Sequence, residues 1–335
     1  MWGIKFPSNI PIVTSLFGIQ RLPSNDNTDL IDTFNTLITP HARHIEHLEQ
    51  DTPIPTRLWL AYWPSRADFQ KWWSSDPVSS FWSSVPDDAG IYREIMEVPP
   101  GRTQHGTNIA DRLSGMAHLG KFESILDKSG YWGCYYDRMP DVTKENTFPS
   151  EVEKKPSRIV PEIGNTSTLP IRKGRVNLHS LPDNIAFVVE GQDHSLISPD
   201  EKAHWFAHFD QSVTNWISDL VAAGPERGIL DSRLCYVPES GMYRAPDAQP
   251  RALNFNRKVQ LFYFLDMAAM ESIGRQNVGH VKLRREFLGS YGPGGVVSEG
   301  KLCLWVEASI LKGSDVECEY VGCVEGTGLM GLNWD

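Results

Sequence analysis

The sequence predicts an α+β fold made of two ferredoxin-like units that share their sheets. The main observation is a strand–helix segment that occurs twice. Residues 57–63, RLWLAYW, lead into PSRADFQKWWSS, and residues 258–264, KVQLFYF, lead into LDMAAMESIGRQ. A shift of 201 residues superposes the two segments, with Trp63 on Phe264 and Trp72 on Ile273. The chain of 335 residues is long enough for two such units with a real core.

The other elements follow from apolar patterning and from cap residues. Strands are predicted at 10–20, 90–98, 184–192, 233–239 and 301–310, and helices at 29–45, 106–120 and 198–224. Ser198 and Asp266 are predicted N-caps, Pro64 suits a first helical turn, and Gly224 is a predicted C-cap. Residues 141–175 are polar and contain several prolines, which is typical of a surface excursion. We therefore expect a first half over 1–140, a linker over 141–175 and a second half over 176–335, forming one integrated domain.

Composition narrows the classes of function. The formal net charge is -10 and there is no basic stripe, so neither nucleic acid nor an anionic membrane is an expected partner. No apolar run approaches the ~18 residues of a membrane span, and the N-terminus lacks the apolar core of a secretory signal. The five cysteines are odd in number and lack zinc spacing. These features predict a cytoplasmic protein with reduced cysteines.

Two groups of histidines have spacings that metal sites also use. His41, His44 and His47 lie three residues apart and would share one face of a helix. No cysteine, aspartate or fourth histidine joins them, so a solvated face is the better interpretation. His204 and His208 lie four apart but lack the glutamate of the H-E-x-x-H motif. Neither group therefore predicts a metal site.

A third candidate is His280, alone in QNVGHVKL at residues 276–283. It follows the second copy of the repeated helix, where the first copy has Ser79. No phosphate-binding glycine loop and no G-x-S-x-G motif occurs elsewhere in the chain. From spacing alone, a structural histidine is the better interpretation.

A resemblance to a known family changes that interpretation. GYWGCYYDRMP at 130–140 and DNIAFVVEGQD at 183–193 together resemble the haem-containing aldoxime dehydratases, also called phenylacetaldoxime dehydratases. LWLAYWPSRADFQKWWSSDPVSSFW at 58–82 and GIYREI at 90–95 support the same alignment, as do the short matches FGIQ, LCY and GHVKL. The similarity covers nearly the whole chain.

The resemblance implies a fold and a cofactor. The fold is a dimeric α+β barrel formed by two ferredoxin-like halves within one chain, in agreement with the repeat. The cofactor is haem b, bound through a proximal histidine at the place that His280 occupies. Haem needs one neutral imidazole on the iron, oriented by a second hydrogen bond, so a lone histidine suffices.

The resemblance also exposes a departure. Relatives carry an arginine, a serine and a histidine on the opposite, distal face of the haem, and these positions fall here on Val189, Val237 and Val306. Losing a general acid typically costs ~10²–10⁴ in rate. Candidates for a relocated acid are Glu190 and Glu307, with Glu239 and Ser240 near Val237. Strand alternation argues against the first two if Val189 and Val306 both face the haem.

Three functions remain open at this point. The first is a haem b-dependent lyase that acts on an oxime-like or hydroxylamine-like small molecule by N–O cleavage or rearrangement, with an apolar distal pocket. Its iron would be ferrous in the working state, and a role in secondary metabolism would suit it. The second is a true aldoxime dehydratase, forming a nitrile, with a relocated acid. The third is a non-catalytic haem-binding or gas-sensing protein. A homodimer is a further expectation.

Overall fold

The computed structural model describes residues 1–7, 9–22, 26–159, 169–179 and 181–334. Their fold is a mixed α+β arrangement dominated by one large antiparallel sheet. The strands are β1 (Trp2–Lys5), β2 (Ile12–Gln20), β3 (His44–Gln50), β4 (Thr56–Trp63), β5 (Ile91–Val98), β6 (Thr103–Thr107), β7 (Lys121–Ser124), β8 (Ser157–Arg158), β9 (Ile171–Leu178), β10 (Ala186–Asp193), β11 (Ile229–Tyr236), β12 (Arg257–Phe264), β13 (Cys303–Ile310), β14 (Val316–Val324) and β15 (Leu332–Asn333).

Seven α-helices accompany these strands in the described ranges. They are α1 (Thr28–Ile38), α2 (Arg66–Trp73), α3 (Asp76–Ser84), α4 (Pro199–His208), α5 (Asp210–Ala222), α6 (Met267–Gln276) and α7 (Val278–Tyr291). Side-chain caps hold four of their starts. Ser65 accepts from the amide of Asp68, so Pro64 precedes α2 and does not lie in its first turn as predicted. Ser198 accepts from the amide of Glu201, Asp266 from that of Ala269 and Asn277 from that of His280. Each cap satisfies an amide that the first helical turn leaves without a partner.

The large sheet runs in the order β7-β1-β6-β13-β10-β12-β11-β3-β4-β2-β5-β14-β9. The halves of the chain exchange strands within it. β6 comes from the first half and pairs with β13, whereas β14 comes from the second half and pairs with β5. A direct pairing of β11 with β3 joins the strands β7-β1-β6-β13-β10-β12-β11 to the strands β3-β4-β2-β5-β14-β9. The halves therefore form one structural unit.

The repeat seen in the sequence is visible in the element boundaries. β4 and β12 begin 201 residues apart, at Thr56 and Arg257, and end at the same separation. α2 and α6 also begin 201 residues apart. A second helix follows in both copies, α3 in the first and α7 in the second. Each copy is thus a strand followed by two helices, and α7 carries His280.

Several predicted elements were wrong. The helix predicted over 29–45 ends at Ile38, and His44 and His47 lie on β3, where successive side chains alternate between faces. The range 106–120 is not an α-helix but the end of β6 and a 3₁₀ turn over Gly115–Leu119. The helix predicted over 198–224 is divided at Phe209, whose buried ring packs near Trp205 and Phe287.

The predicted excursion over 141–175 is only partly described. Residues 160–168 lie outside the described ranges. In the described part of the excursion, residues 141–155 contain no helix or strand. β8 pairs with β15, and β9 already begins at Ile171. β9 was missed because its exposed residues alternate with half-buried ones and give a weak apolar signal.

The two faces of the second-half strands serve different layers. Val189, Leu261 and Trp305 pack in the large core cluster on one face of the sheet. Val188, Phe262 and Ala308 pack on the other face against residues of α5 and α6. All five cysteines are buried and free of disulfides. No helix in the described part of the chain is long and apolar enough to cross a membrane.

Candidate active site

A cavity lies between the helix-covered face of the sheet and the helices α5, α6 and α7. Its remaining wall is the loop around 130–138, the first of the two stretches that suggested the family. The lining is mostly apolar and aromatic, and its acidic and basic side chains are His280, Glu190, Glu271, Arg138 and Arg284. Apolar and aromatic side chains around a few convergent polar groups are typical of a small-molecule or cofactor site.

His280 is held by its own helix pair. Its backbone amide donates to the side chain of Asn277, the cap of α7, at 2.9 Å. Its ring Nδ1 lies 3.0 Å from the carbonyl oxygen of Gly274 at the end of α6. A carbonyl only accepts, so Nδ1 carries the proton and Nε2 keeps its lone pair. No hydrogen bond to Nε2 occurs among the described residues, which makes Nε2 the atom that can bind a metal.

Packing fixes the plane of this imidazole. The ring of Trp216 on α5 is stacked on it with centroids 4.2 Å apart and planes 18° apart. A Cβ on Gly274 would lie 3.1 Å from Cε1 of the ring, so the glycine leaves the space that the ring occupies. Burial lowers the pKa of His280, the bond to Gly274 opposes this, and the charge of Arg284 lowers the pKa further. The ring is therefore neutral at pH 7, which is the form that ligates iron.

Glu190 reaches the same cavity from the middle of β10. Desolvation by burial raises the pKa of its carboxyl to about 7. No cation of the described residues lies within ion-pair distance of it. A carboxyl in this condition is partly protonated at neutral pH and can donate a proton, as general acids do.

The face assignment of the predicted residues needs one correction. Val306 lines the cavity as expected, but Val189 does not. The antiparallel register places Glu190 opposite Val306 and Val189 opposite Glu307. Cross-strand partners share a face, so Glu190 accompanies Val306 into the cavity while Val189 and Glu307 point to the other side. Alternation along each strand holds, but the alignment with relatives had placed Val189 and Val306 on one face, and the register separates them.

Glu307 is consequently not available to a bound molecule in this cavity. Its carboxylate oxygens accept from the hydroxyl of Tyr62 and from the amide of Met116, both at 2.8 Å. Burial raises the pKa of Glu307 to about 8, an effect that these two hydrogen bonds oppose. Gly115, at φ +50°, leaves room for the carboxyl, because a Cβ there would overlap its oxygen. Glu307 is therefore a structural acid between the two halves.

The third valine is also placed elsewhere. Val237 follows β11 and packs against the large core cluster rather than on the cavity. Glu239 and Ser240 lie beside it in a 3₁₀ turn, and neither lines the cavity. Of the three valines predicted for a distal pocket, Val306 lines this cavity and Val189 and Val237 do not.

Two tryptophans and the charged residues of the first stretch also lie in different places. Trp132 lines the cavity, whereas Trp305 belongs to the core on the other face. Arg138 donates to neutral acceptors around it and makes no ion pair with Asp137, which accepts from the hydroxyl of Tyr131. These contacts make Arg138 a structural residue that holds its own loop.

Sequence reasoning missed several residues that shape the site, chiefly Trp216, Gly274, Asn277 and Arg284. Asn277 and Arg284 were within reach of sequence arguments. An asparagine three residues before His280 is a cap signal, and an arginine four residues after it shares its helix face. Trp216 lies 64 residues before His280 on a different helix, and only the tertiary fold brings them together.

Comparison with known proteins identifies the family of the chain. A model of the haem-containing dehydratase family matches residues 15–329. The chain belongs to this family. It is 25% identical to an aliphatic aldoxime dehydratase of Rhodococcus globerulus over 90% of this chain and 79% of that protein. It is 23% identical to a phenylacetaldoxime dehydratase of Bacillus sp. strain OxB-1 over 98% of this chain and 90% of that protein.

Solved structures show the same fold. A crystal structure of an aldoxime dehydratase in complex with butyraldoxime superposes with a TM-score of 0.77 at 18% identity, covering 98% of this chain and 88% of that one. A second aldoxime dehydratase structure gives 0.76 at 16% identity, covering 98% and 90%. The member of the haem-containing dehydratase family described here is a haem-dependent enzyme of the lyase class, and its cofactor is haem b, as the resemblance implied.

The residues of the cavity fit that cofactor. The donor set is one neutral imidazole with Nε2 free and Nδ1 bonded to a carbonyl, which is the usual state of an axial histidine. Most of the remaining wall is aromatic and aliphatic, which suits the apolar surface of a porphyrin ring. No group of three or more metal-ligating side chains occurs in the described residues, and an axial haem ligand needs none.

Proposed function

We propose that the protein is a haem-dependent lyase that converts an aldoxime-type small molecule by cleaving its N–O bond. His280 would be the axial ligand of the iron and Glu190 the general acid. The observation that carries the proposal is their position on one cavity. An imidazole with a free Nε2 enters it from a helix, and a carboxyl with a pKa of about 7 enters it from the sheet.

Bound haem would supply an iron able to take the substrate nitrogen as a ligand. The role of His280 is to hold that iron with a fixed ring plane and tautomer. Trp216 fixes the plane by stacking and Gly274 fixes the tautomer by accepting from Nδ1. Both contacts come from elements other than α7, so the histidine is held from three helices.

The role of Glu190 is proton transfer. Dehydration of an aldoxime breaks the N–O bond, and the hydroxyl must gain a proton to leave as water. Glu190 in its protonated form would donate that proton, and its carboxylate would then take the proton lost from the oxime carbon. The net reaction gives nitrile and water and needs no further reactant. Because burial raises the pKa of the carboxyl to about 7, both forms are available at neutral pH.

The apolar part of the wall would bind the substituent of the aldoxime. Leu220, Phe264, Met270 and Val306 line the cavity and offer no hydrogen-bonding group. A hydrocarbon substituent gains free energy by leaving water for such a wall. We therefore propose an aldoxime with an apolar substituent as the substrate class.

Two of the alternatives drawn from the sequence lose their support. A rearrangement in a fully apolar distal pocket depended on three valines, and only Val306 lines the cavity. The gas-sensing alternative had the same basis. The alternative of an aldoxime dehydratase with a relocated acid is favoured instead. Glu190 lines the cavity, whereas the alternation argument had placed it on the opposite face of the sheet.

We also propose that the two strand–helix–helix copies are ferredoxin-like halves of a dimeric α+β barrel within one chain. The 201-residue separation of β4 from β12 and the exchange of β6 and β14 between the halves support this. The domain limits at 140 and 176, a homodimer, a cytoplasmic location and a ferrous working state stay predictions.

Activity tests the proposed reaction. The haem-loaded protein is reduced with dithionite and incubated anaerobically with an aliphatic and an aromatic aldoxime, and nitrile is measured by gas chromatography. We expect nitrile from wild-type protein and very little from the His280→Ala and Glu190→Gln variants. Glu123→Gln, on the exposed strand β7, is the matched control and should behave as wild type. The absence of nitrile from every aldoxime tested with fully loaded, reduced protein would contradict the proposed reaction.

A further inference from the structure

We propose that Arg284 binds a carboxylate of the haem and so sets the orientation of the cofactor. This inference rests on the proposed function, in which haem occupies the cavity beside His280. Arg284 lies four residues after His280 on α7 and lines the same cavity. Residues four apart on an α-helix share a face and are separated along its axis by about 6 Å. A ligand held by Nε2 of His280 would therefore extend past Arg284.

The contacts of Arg284 leave its charge uncompensated and its donors available. Its guanidinium carbon lies 4.6 Å from the ring centroid of Trp132, which also lines the cavity. Its one hydrogen bond among the described residues is a 3.4 Å contact from Nη2 to the carbonyl oxygen of Tyr131. No carboxylate of those residues lies within ion-pair distance. Stacking on the indole holds the guanidinium plane while the N–H groups at its edge stay free.

The two neighbouring arginines are less suited to this task. Arg138 also lines the cavity, but all three of its nitrogens donate to protein: Nε to the carbonyl of Lys128, Nη1 to Gln104 and Nη2 to Ser129. These bonds tie the 128–138 loop to β6. Arg275 is more than half exposed, faces Glu271 at 3.5 Å and does not line the cavity. Of the three, only Arg284 combines a place on the cavity with unused donors.

The chemistry of haem b gives this cation a partner. The macrocycle is apolar apart from two propionate side chains at one edge, both ionised at neutral pH. An arginine can bind a carboxylate through two parallel hydrogen bonds, which adds orientation as well as attraction. The iron held by His280 and one propionate held by Arg284 would give two fixed points, and two fixed points restrict how the ring can turn about the axial bond. Both fixed points would belong to one helix.

The test is a comparison of two cofactors that differ only in charge. Protein free of haem is titrated with haem b and, separately, with haem b dimethyl ester, and binding is followed by the Soret absorbance. The variants are Arg284→Gln, Arg284→Lys and the control Arg285→Gln, whose side chain is exposed and does not line the cavity. Charge-assisted hydrogen bonds predict that Arg284→Gln weakens binding of haem b by ~10-fold or more. The same variant should leave binding of the dimethyl ester unchanged.

The remaining arms cover the other outcomes. Wild-type protein should prefer haem b to the ester, Arg284→Lys should keep part of that preference, and Arg285→Gln all of it. If Arg284→Gln does not fold, the preference measured for wild type and Arg284→Lys still decides. The proposal that Arg284 anchors a haem propionate would be overturned by equal affinities of wild type for the two cofactors. It would also be overturned if neither Arg284 variant changed the preference for haem b.

Failure of the anchor is distinguishable from failure of the proposed function. The spectrum of haem-loaded His280→Ala reports the axial ligand independently of the propionates. If His280→Ala loses the axial signature while Arg284→Gln prefers haem b as wild type does, only the anchor is wrong. If neither variant changes anything, haem binds elsewhere and the proposed site is wrong as well.

Discussion

Replacing Glu190 by glutamine should slow catalysis and at the same time stabilise the fold. The carboxyl of Glu190 has its pKa raised from 4.5 to about 7 by burial. A raised pKa means that the folded protein keeps a proton that the unfolded chain releases. The stability associated with this group is complete below pH 4.5 and is lost as the pH rises towards 7. Over that interval the shift corresponds to at most about 3 kcal/mol of unfolding free energy, at 1.36 kcal/mol per pH unit.

Glutamine has nearly the same shape and does not ionise, so it avoids this loss but also removes the acid. We expect Glu190→Gln to gain up to about 3 kcal/mol in urea unfolding at pH 8 and almost nothing at pH 4.5. We expect its rate of nitrile formation to fall by ~10²–10⁴. The wild-type rate should decline above pH 7, as the carboxyl ionises, while the residual rate of the variant should not follow that titration.

The assay is nitrile formation by reduced, haem-loaded protein from pH 5 to 9, together with urea unfolding at pH 4.5 and 8. Haem content is measured for each sample, so that a loss of cofactor is not counted as a loss of catalysis. A variant with the wild-type rate and the wild-type pH profile would refute the role of Glu190. No gain in stability at pH 8 would refute the desolvation of the half-buried Glu190 carboxyl, on which that role depends.

Three further predictions test other parts of the structure. Gly274→Ala should displace the imidazole that packs against it and weaken haem binding in a Soret titration, whereas Gly289→Ala on α7, where a Cβ meets nothing within 4 Å, should bind as wild type. Glu307→Gln should stabilise the fold by up to about 3 kcal/mol at pH 7, because burial raises the pKa of this carboxyl to about 8. It should leave the pH–rate profile unchanged. A profile altered in the same way as that of Glu190→Gln would contradict the structural role of Glu307. Arg233→Met should cost about 3–5 kcal/mol in chemical unfolding by stranding a buried carboxylate 2.6 Å away, whereas Arg251→Gln, in an exposed pair, should cost less than about 1 kcal/mol; equal costs would show that burial of the first pair is unimportant.

The repeat was the part of the fold that sequence patterns predicted best. β4 and β12 are buried almost throughout, and each is followed by a capped helix, so periodicity and cap residues both signal them. β3 was missed because its buried positions include the polar Glu46 and Gln50, and β9 because it has only exposed and half-buried residues; both weaken the apolar signal. The break at Phe209 depends on burial against Phe287, a residue 78 positions away that a local pattern does not include.

The site shows the same division. His280 was predicted from the resemblance, and its geometry suits the predicted role. The distal side was assigned by alignment with relatives, which put Val189 and Val306 on one face. Whether two strands present these residues on the same face depends on how β10 and β13 pair. That register, Glu190 opposite Val306, is a tertiary fact. A shift of one residue exchanged Val189 for Glu190 and turned an expected apolar face into one that carries an acid.

The central claim is that His280 ligates the haem iron in this cavity, and axial-ligand spectroscopy tests it most directly. Absorption and electron paramagnetic resonance spectra are recorded for haem-loaded wild type, His280→Gly and the control His204→Ala, before and after addition of imidazole. We predict that His280→Gly loses the axial nitrogen signature and that imidazole restores it, because the free base can fill the space beside Trp216. His204→Ala should match wild type throughout. An unchanged axial signature in His280→Gly without imidazole would contradict the account.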